Sequence, residues 1–160
     1  MSSLPARSRC TAIALGTALL AALPAPAAAE EPDWAGRIDA GTIAVLSDGD
    51  FAAQTYATGR LADPGAGWRD TLTVLKRAGA GWARTSVEVS NSVTATPEVL
   101  RLSPDGRTAY VAERLAQRTP EATRSADLAP GRRLFAVAVE GEPRVLDTAT
   151  IEAHPEGLDL

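Results

Sequence analysis

Residues 99–113, VLRLSPDGRTAYVAE, hold a turn that leaves the backbone few choices. Ser103 supplies a hydrogen-bonding hydroxyl at the first turn position, and Pro104 presets φ for the second. Asp105 tolerates the third, and Gly106 takes the positive φ of a bulge that sends the chain back antiparallel. Leu100 and Leu102 alternate before the turn, and Ala109, Tyr110, Val111 and Ala112 follow it. The stretch predicts a β-hairpin.

The first half of this unit recurs. Pro97-Glu98-Val99-Leu100-Arg101-Leu102 and Pro155-Glu156-Gly157-Leu158-Asp159-Leu160 share the proline, the glutamate and both leucines, at an offset of 58 residues. Repeats of roughly 40 to 50 residues with several strands each are the signature of propeller arrays. The longer offset fits if residues 114–132 form a long loop within the unit.

Further strands are expected at Thr42–Leu46, Asp70–Lys76, Arg84–Val89, Leu134–Val139 and Arg144–Ile151, with turns at Gly79-Ala80-Gly81 and at residues 140–143. The run Leu134–Val139 is apolar on both alternating faces, which implies a layer above and another below. A propeller blade sits between two neighbours in that way. The expected fold is therefore all-β, built of β-propeller blades of four antiparallel strands. It is incomplete, with one blade at 34–96, a second at 97–153 and the first strand of a third at 154–160. A ring needs about four to eight blades, so the expectation is a truncated product, an interrupted reading frame or the N-terminal piece of a longer protein.

Residues 1–29 read as a secretory signal peptide. Arg7 and Arg9 give a basic start, Thr11–Leu23 an apolar stretch, and Ala27-Ala28-Ala29 a small-residue cleavage site before Glu30. Pro24 and Pro26 break the apolar stretch too early for it to span a bilayer. The expected localisation is periplasmic or secreted, with no membrane span after cleavage. The leader holds two of the 16 bases, none of the 20 acids and the single cysteine, Cys10. Residues 30–160 are therefore acidic and carry no cysteine for a disulfide, and an acidic chain is a poor partner for nucleic acid. Zinc, phosphate-loop and nucleophile-elbow motifs are all missing, so no cofactor and no metal are expected.

Taken together, PEVLRLSPDGRTAYVAE, RLFAVAV and RVLDTATIEAHPEGLDL resemble the YVTN-type β-propeller repeat of lactonase-like and surface-layer-like proteins. The resemblance covers about Pro97–Leu160 well and Trp34–Thr96 weakly. In it, Val145-Leu146-Asp147-Thr148 corresponds to the outer-strand element, and His154-Pro155-Glu156-Gly157 to the step into the next blade. It implies a fold more than a chemistry, because such propellers host both enzymes and binding platforms. Three functions are carried forward: a ligand- or protein-binding scaffold, a lactone-hydrolysing enzyme of the 6-phosphogluconolactonase-like type, and a non-functional remnant of an interrupted gene. The expected partners are the missing blades or further copies of the chain, with a small molecule or protein as ligand.

The propeller rule puts Glu98, His154, Glu156 and the 114–132 insert at one end of the blades. His154, the only histidine, together with Glu156 and Glu98 forms the candidate catalytic set: general base and acid on a lactone, or metal ligands. The competing reading is that His154-Pro155-Glu156-Gly157 only shapes a turn. Asp48-Gly49-Asp50 suggests a calcium loop, but calcium takes six to eight oxygens and no neighbour in sequence completes them; a hairpin turn is the preferred reading. Trp34, Trp68 and Trp82 are expected to pack between blades or over turns instead of forming a ligand platform. The Arg-, Ala- and Pro-rich insert reads as a mobile surface loop, with an anionic ligand for its arginines as the alternative.

Overall fold

The structure, a computed structural model, describes residues 37–92 and 98–160. Residues 1–29, read as a signal peptide from sequence, together with Trp34 and the Thr96-Pro97 step, lie outside the described residues. Seven strands are present among the described residues: β1 (Thr42–Ser47), β2 (Thr71–Ala78), β3 (Gly81–Glu88), β4 (Leu100–Leu102), β5 (Thr108–Ala112), β6 (Arg133–Ala138) and β7 (Arg144–Thr150). Among the described residues, helix comprises Arg37, one turn, α1 (Thr55–Thr58), and two 3₁₀ turns at Pro64–Ala66 and Ser125–Asp127. The all-β expectation holds.

The strands form two antiparallel meanders within one unit, Asp33–Leu160. One sheet has the order β1-β2-β3 and the other β4-β5-β6-β7. The second has the four strands expected of a blade; the first has three among the described residues. Neither sheet closes on itself, and His154–Leu160 forms no strand. That segment is instead held by Leu158 N–H donating to the Glu98 carbonyl at 2.9 Å.

The Ser103–Gly106 turn forms as its residues dictate. Gly106 N–H donates to the Ser103 carbonyl at 2.8 Å, and Gly106 sits at φ 70°. The Ser103 hydroxyl accepts from Thr108 N–H at 3.0 Å and lies 2.6 Å from Asp105 Oδ1, which also accepts from Arg107 N–H. This fixes the β4–β5 register, pairing Leu100 with Val111 and Leu102 with Ala109.

Strand pleating then sets the core. Leu72 and Val74 of β2 meet Ala109 and Val111 of β5 and Phe135, Val137 and Val139 in and just beyond β6, all buried in one cluster. Ala44, Leu46, Leu100 and Leu102 close its margins. Each large aliphatic side chain removed from water contributes roughly 1.5–3 kcal/mol, so this inter-sheet layer holds the fold together. The other face of the second sheet, with Tyr110, Leu134, Ala136 and Ala149, borders only a shallow depression. Its outermost strand, β7, is exposed along its whole length, including Val145 and Leu146.

Antiparallel alternation sorts the connections. The short turns at Gly79-Ala80, 103–107 and 139–143 gather at one end. The long connections 48–70 and 113–132, together with residues 89–92 and the tail after β7, gather at the other.

Candidate functional site

The insert is pinned, contrary to the expected mobile loop. Arg118 donates to the carbonyls of Ala62 at 2.7 Å and Ala122 at 2.9 Å, and its guanidinium lies 3.5 Å from Asp50. Leu61 N–H donates to Thr123 O, Ser125 N–H to Gly59 O, and the Arg124 guanidinium to Thr58 O. The β1–β2 and β5–β6 connections thus form one layered rim. Arg118 and Arg124, for which an anionic ligand was the alternative to a mobile loop, spend donors on the chain's own carbonyls, since a guanidinium offers five N–H groups to satisfy.

Between this rim and the end of β3 lies a cleft of about 630 Å³. The 48–70 connection contributes Asp50, Asp63, Trp68, Arg69 and Asp70; the region around the end of β3 contributes Glu88 and Ser90. The insert contributes Gln117 and Arg118, and β6 contributes Arg133 and Phe135. Trp68 is 57% exposed here, so the expectation that it packs is corrected. Its connection crosses the rim, where no second layer among the described residues covers it. Trp82 is half-buried on β3, with the Arg77 guanidinium 4.6 Å from its ring centre.

Asp48 and Asp50 do not form a hairpin turn. Their bend opens the long 48–70 connection, because β1 pairs with a strand that begins only at Thr71. Gly49 is required there, since a Cβ would stand 2.6 Å from Arg69 backbone atoms. The bend brings in a third carboxylate that spacing could not reveal: Asp48, Asp50 and Asp70 offer oxygens within 4.8 Å of one another. They are the described residues that could hold a cation. Their oxygens are also engaged within the protein, Asp48 Oδ1 accepting from Asp50 and Phe51 N–H and Asp70 accepting from Gly49 and Asn91 N–H. Burial, reinforced by the charges of Asp48 and Asp50, pushes the Asp70 carboxyl up to about 6 against the pull of those two N–H groups.

This shift has a stability consequence. The folded state holds the Asp70 proton more tightly than the unfolded chain does. Stability from this group is therefore highest in acid and falls as pH rises from about 4 to about 6. Discounted for partial solvent access, the loss is about 2 kcal/mol. In denaturant titrations at pH 4 and pH 7, the wild type should lose about 2 kcal/mol more than Asp70→Asn between the two; parallel profiles for both proteins would refute it.

Beside the cleft lies a group that local sequence patterns did not single out. Glu113 is 2% exposed and is held by the Ser90 hydroxyl at 2.6 Å, by Arg133 Nε at 3.0 Å and by a second guanidinium nitrogen of Arg133. Burial alone would raise its pKa, but Arg133 and Ser90 together hold the carboxyl below the usual range. The available signal was Glu113 closing the otherwise apolar run Ala109–Ala112, with Arg132-Arg133 opening the next strand.

The expected catalytic residues stand elsewhere on the same end. The backbone bond from Leu158 to Glu98 and the Arg114–Glu156 contact at 3.4 Å bring the Glu98 and Glu156 regions together. His154 adopts φ 55° while its N–H donates to Gly131 O at 3.2 Å. Glu98, His154 and Glu156 are all exposed, and none of them lines the cleft. No helix among the described residues is long and apolar enough to cross a membrane. No family model, curated protein or solved structure matches the chain.

Proposed function

We propose that the chain is an extracytoplasmic segment of a YVTN/lactonase-like β-propeller that serves as a ligand- or protein-binding scaffold. The observation that carries this reading is the four-stranded meander β4-β5-β6-β7, apolar on both faces and, among the described residues, covered on only one. A sheet of that kind calls for another layer over Tyr110, Leu134, Ala136 and Ala149, which a following blade would supply. The long connections collected at one end, with a cleft among them, suit ligand capture by loops on a rigid scaffold. Lactone hydrolysis ranks second, because Glu98, His154 and Glu156 share an end without sharing a cavity.

The test is association. Freed of residues 1–29, the chain should elute as oligomers in size exclusion with light scattering, through its uncovered apolar face and open sheet edges. Leu134→Glu on that face should shift the population toward monomer. A sharp wild-type monomer with cooperative melting would overturn the blade reading.

A further inference from the structure

The two sheets repeat one plan. β1 runs into the 48–70 connection, and β2 and β3 follow across a tight turn; β5 runs into the 113–132 insert, and β6 and β7 follow in the same way. Their backbone bonds coincide as well. Just before each first strand, the carbonyls of Gly41 and Arg107 accept from the N–H groups of Arg77 and Val139. At the far end Ser47 pairs with Thr71, and Glu113 N–H donates to Arg133 O at 2.9 Å. Both ends place β1 and β5 in register at an offset of 66 residues, so Ile43 matches Ala109 and Val45 matches Val111.

One strand is missing from this correspondence. β4 lies along the edge of β5 that faces away from β6, pairing Leu100 with Val111 and Leu102 with Ala109. The corresponding edge of β1 has, among the described residues, no strand beside it and no backbone-to-backbone bond. Such an edge is a template for a further strand. The segment with the matching sequence is Pro155–Leu160, which repeats the proline, the glutamate and both leucines of Pro97–Leu102, the stretch that contains β4. Within one chain this segment forms no strand, and Leu160 stays 65% exposed, whereas Leu100 and Leu102 pack on the core margin.

We propose that β1 captures residues 155–160 of a second copy of the chain as a fourth antiparallel strand, with Leu158 opposite Val45 and Leu160 opposite Ile43. This is the register that β4 keeps on β5. Val45, 41% exposed on the edge strand, gains a cross-strand apolar neighbour. In its own copy the segment lies against Glu98, with Leu158 N–H on the Glu98 carbonyl, and not along β1. A surface and its complement at separate places on one chain assemble head to tail between copies. The proposal rests on the blade reading and gives the scaffold a second contact, separate from the Leu134 face.

The experiment is disulfide trapping, since residues 30–160 carry no cysteine. Chains freed of residues 1–29 and bearing Val45→Cys are mixed with chains bearing Leu158→Cys in a glutathione redox buffer. Val99 and Ala112 form a hydrogen-bonded pair, so Leu100 with Val111, and by the same register Leu158 with Val45, is of the closer non-bonded kind. That spacing is within disulfide reach. The mixed dimer should form at least tenfold faster than with Asp159→Cys, whose side chain the register turns to the other face. Leu160→Asp added to the Leu158→Cys chain should slow trapping severalfold, with circular dichroism unchanged. Val45→Cys and Leu158→Cys in one chain should give dimers and larger species. An internally bridged monomer would overturn the second copy as donor, and equal rates for Leu158→Cys and Asp159→Cys would reduce the contact to random collision. Oligomers in light scattering without trapping overturn this proposal alone and leave the blade reading standing; a monomer without trapping overturns both.

Discussion

Replacing Arg133 by methionine is expected to cost about 3 kcal/mol at neutral pH. The change keeps most of the side chain's length and its cover over the Phe135 ring, but removes both charge-assisted bonds to Glu113. Glu113 is then a carboxylate almost wholly removed from water, left with the Ser90 hydroxyl and a long contact to Arg132 N–H at 3.4 Å. In the wild type its pKa lies below the usual carboxylate range, so its stabilisation is complete above that range and lost as pH falls through the lowered value. In the variant, burial dominates and the group takes up a proton closer to neutrality. The deficit should therefore be largest near pH 7.5 and shrink toward pH 4.5 in urea titrations. Adding Glu113→Gln should restore part of the loss at pH 7.5, because no uncompensated charge remains. A deficit below 1 kcal/mol that ignores pH would show that Glu113 reaches water by another route.

Gly131→Ala is expected to be comparably severe, about 3 kcal/mol. Gly131 is buried where the insert returns to β6, its N–H donating to Arg114 O at 2.8 Å and its carbonyl accepting from His154 N–H. A Cβ built there would stand 2.0 Å from the Glu113 carbonyl oxygen and 2.5 Å from its carbon. Those atoms are backbone, so no rotamer change relieves the contact, and the insert must lift off the sheet end. The measurable outcome is a lowered melting temperature together with faster proteolysis within residues 114–130, whose docking depends on that return. A protein that melts like the wild type would mean that the two connections can separate without strain.

Both predictions concern contacts between residues far apart in the chain, which local reading reaches least well. Seven of the expected strands were legible within about three residues, because alternation of apolar side chains is a local signal and a turn such as Ser103–Gly106 is closed by its own four residues and their immediate neighbours; the strand expected at 154–160 does not form. The acidic pair Asp48 and Asp50 was visible, yet its third member was not. Asp70 arrives only because the connection 48–70 folds back to the base of β2, and nothing in the spacing of aspartates encodes that path. For the same reason the arginines of the insert looked free. A guanidinium seeking carbonyls has no sequence signature, and its partners at Ala62 and Thr58 lie more than fifty residues away. Trp68 was assigned to packing by the ordinary behaviour of large aromatics, and its exposure follows from its place on the 48–70 connection, which no other described element covers.

Residue order alone was enough to specify seven strands, the tight turns at 79–80, 103–106 and 140–143 and an apolar pattern on both faces of β6, since each follows from torsional preference and period-two burial over a few residues. It wrongly added a strand at 154–160 and a hairpin at 48–50. Packing of the two sheets settled the rest: which long connections touch, where Glu113 finds its counter-charge, and that Trp68, Asp70 and Glu88 share one cleft. Those outcomes depend on bringing remote backbone segments to one end of two packed sheets, a matter of chain path that no local preference can specify.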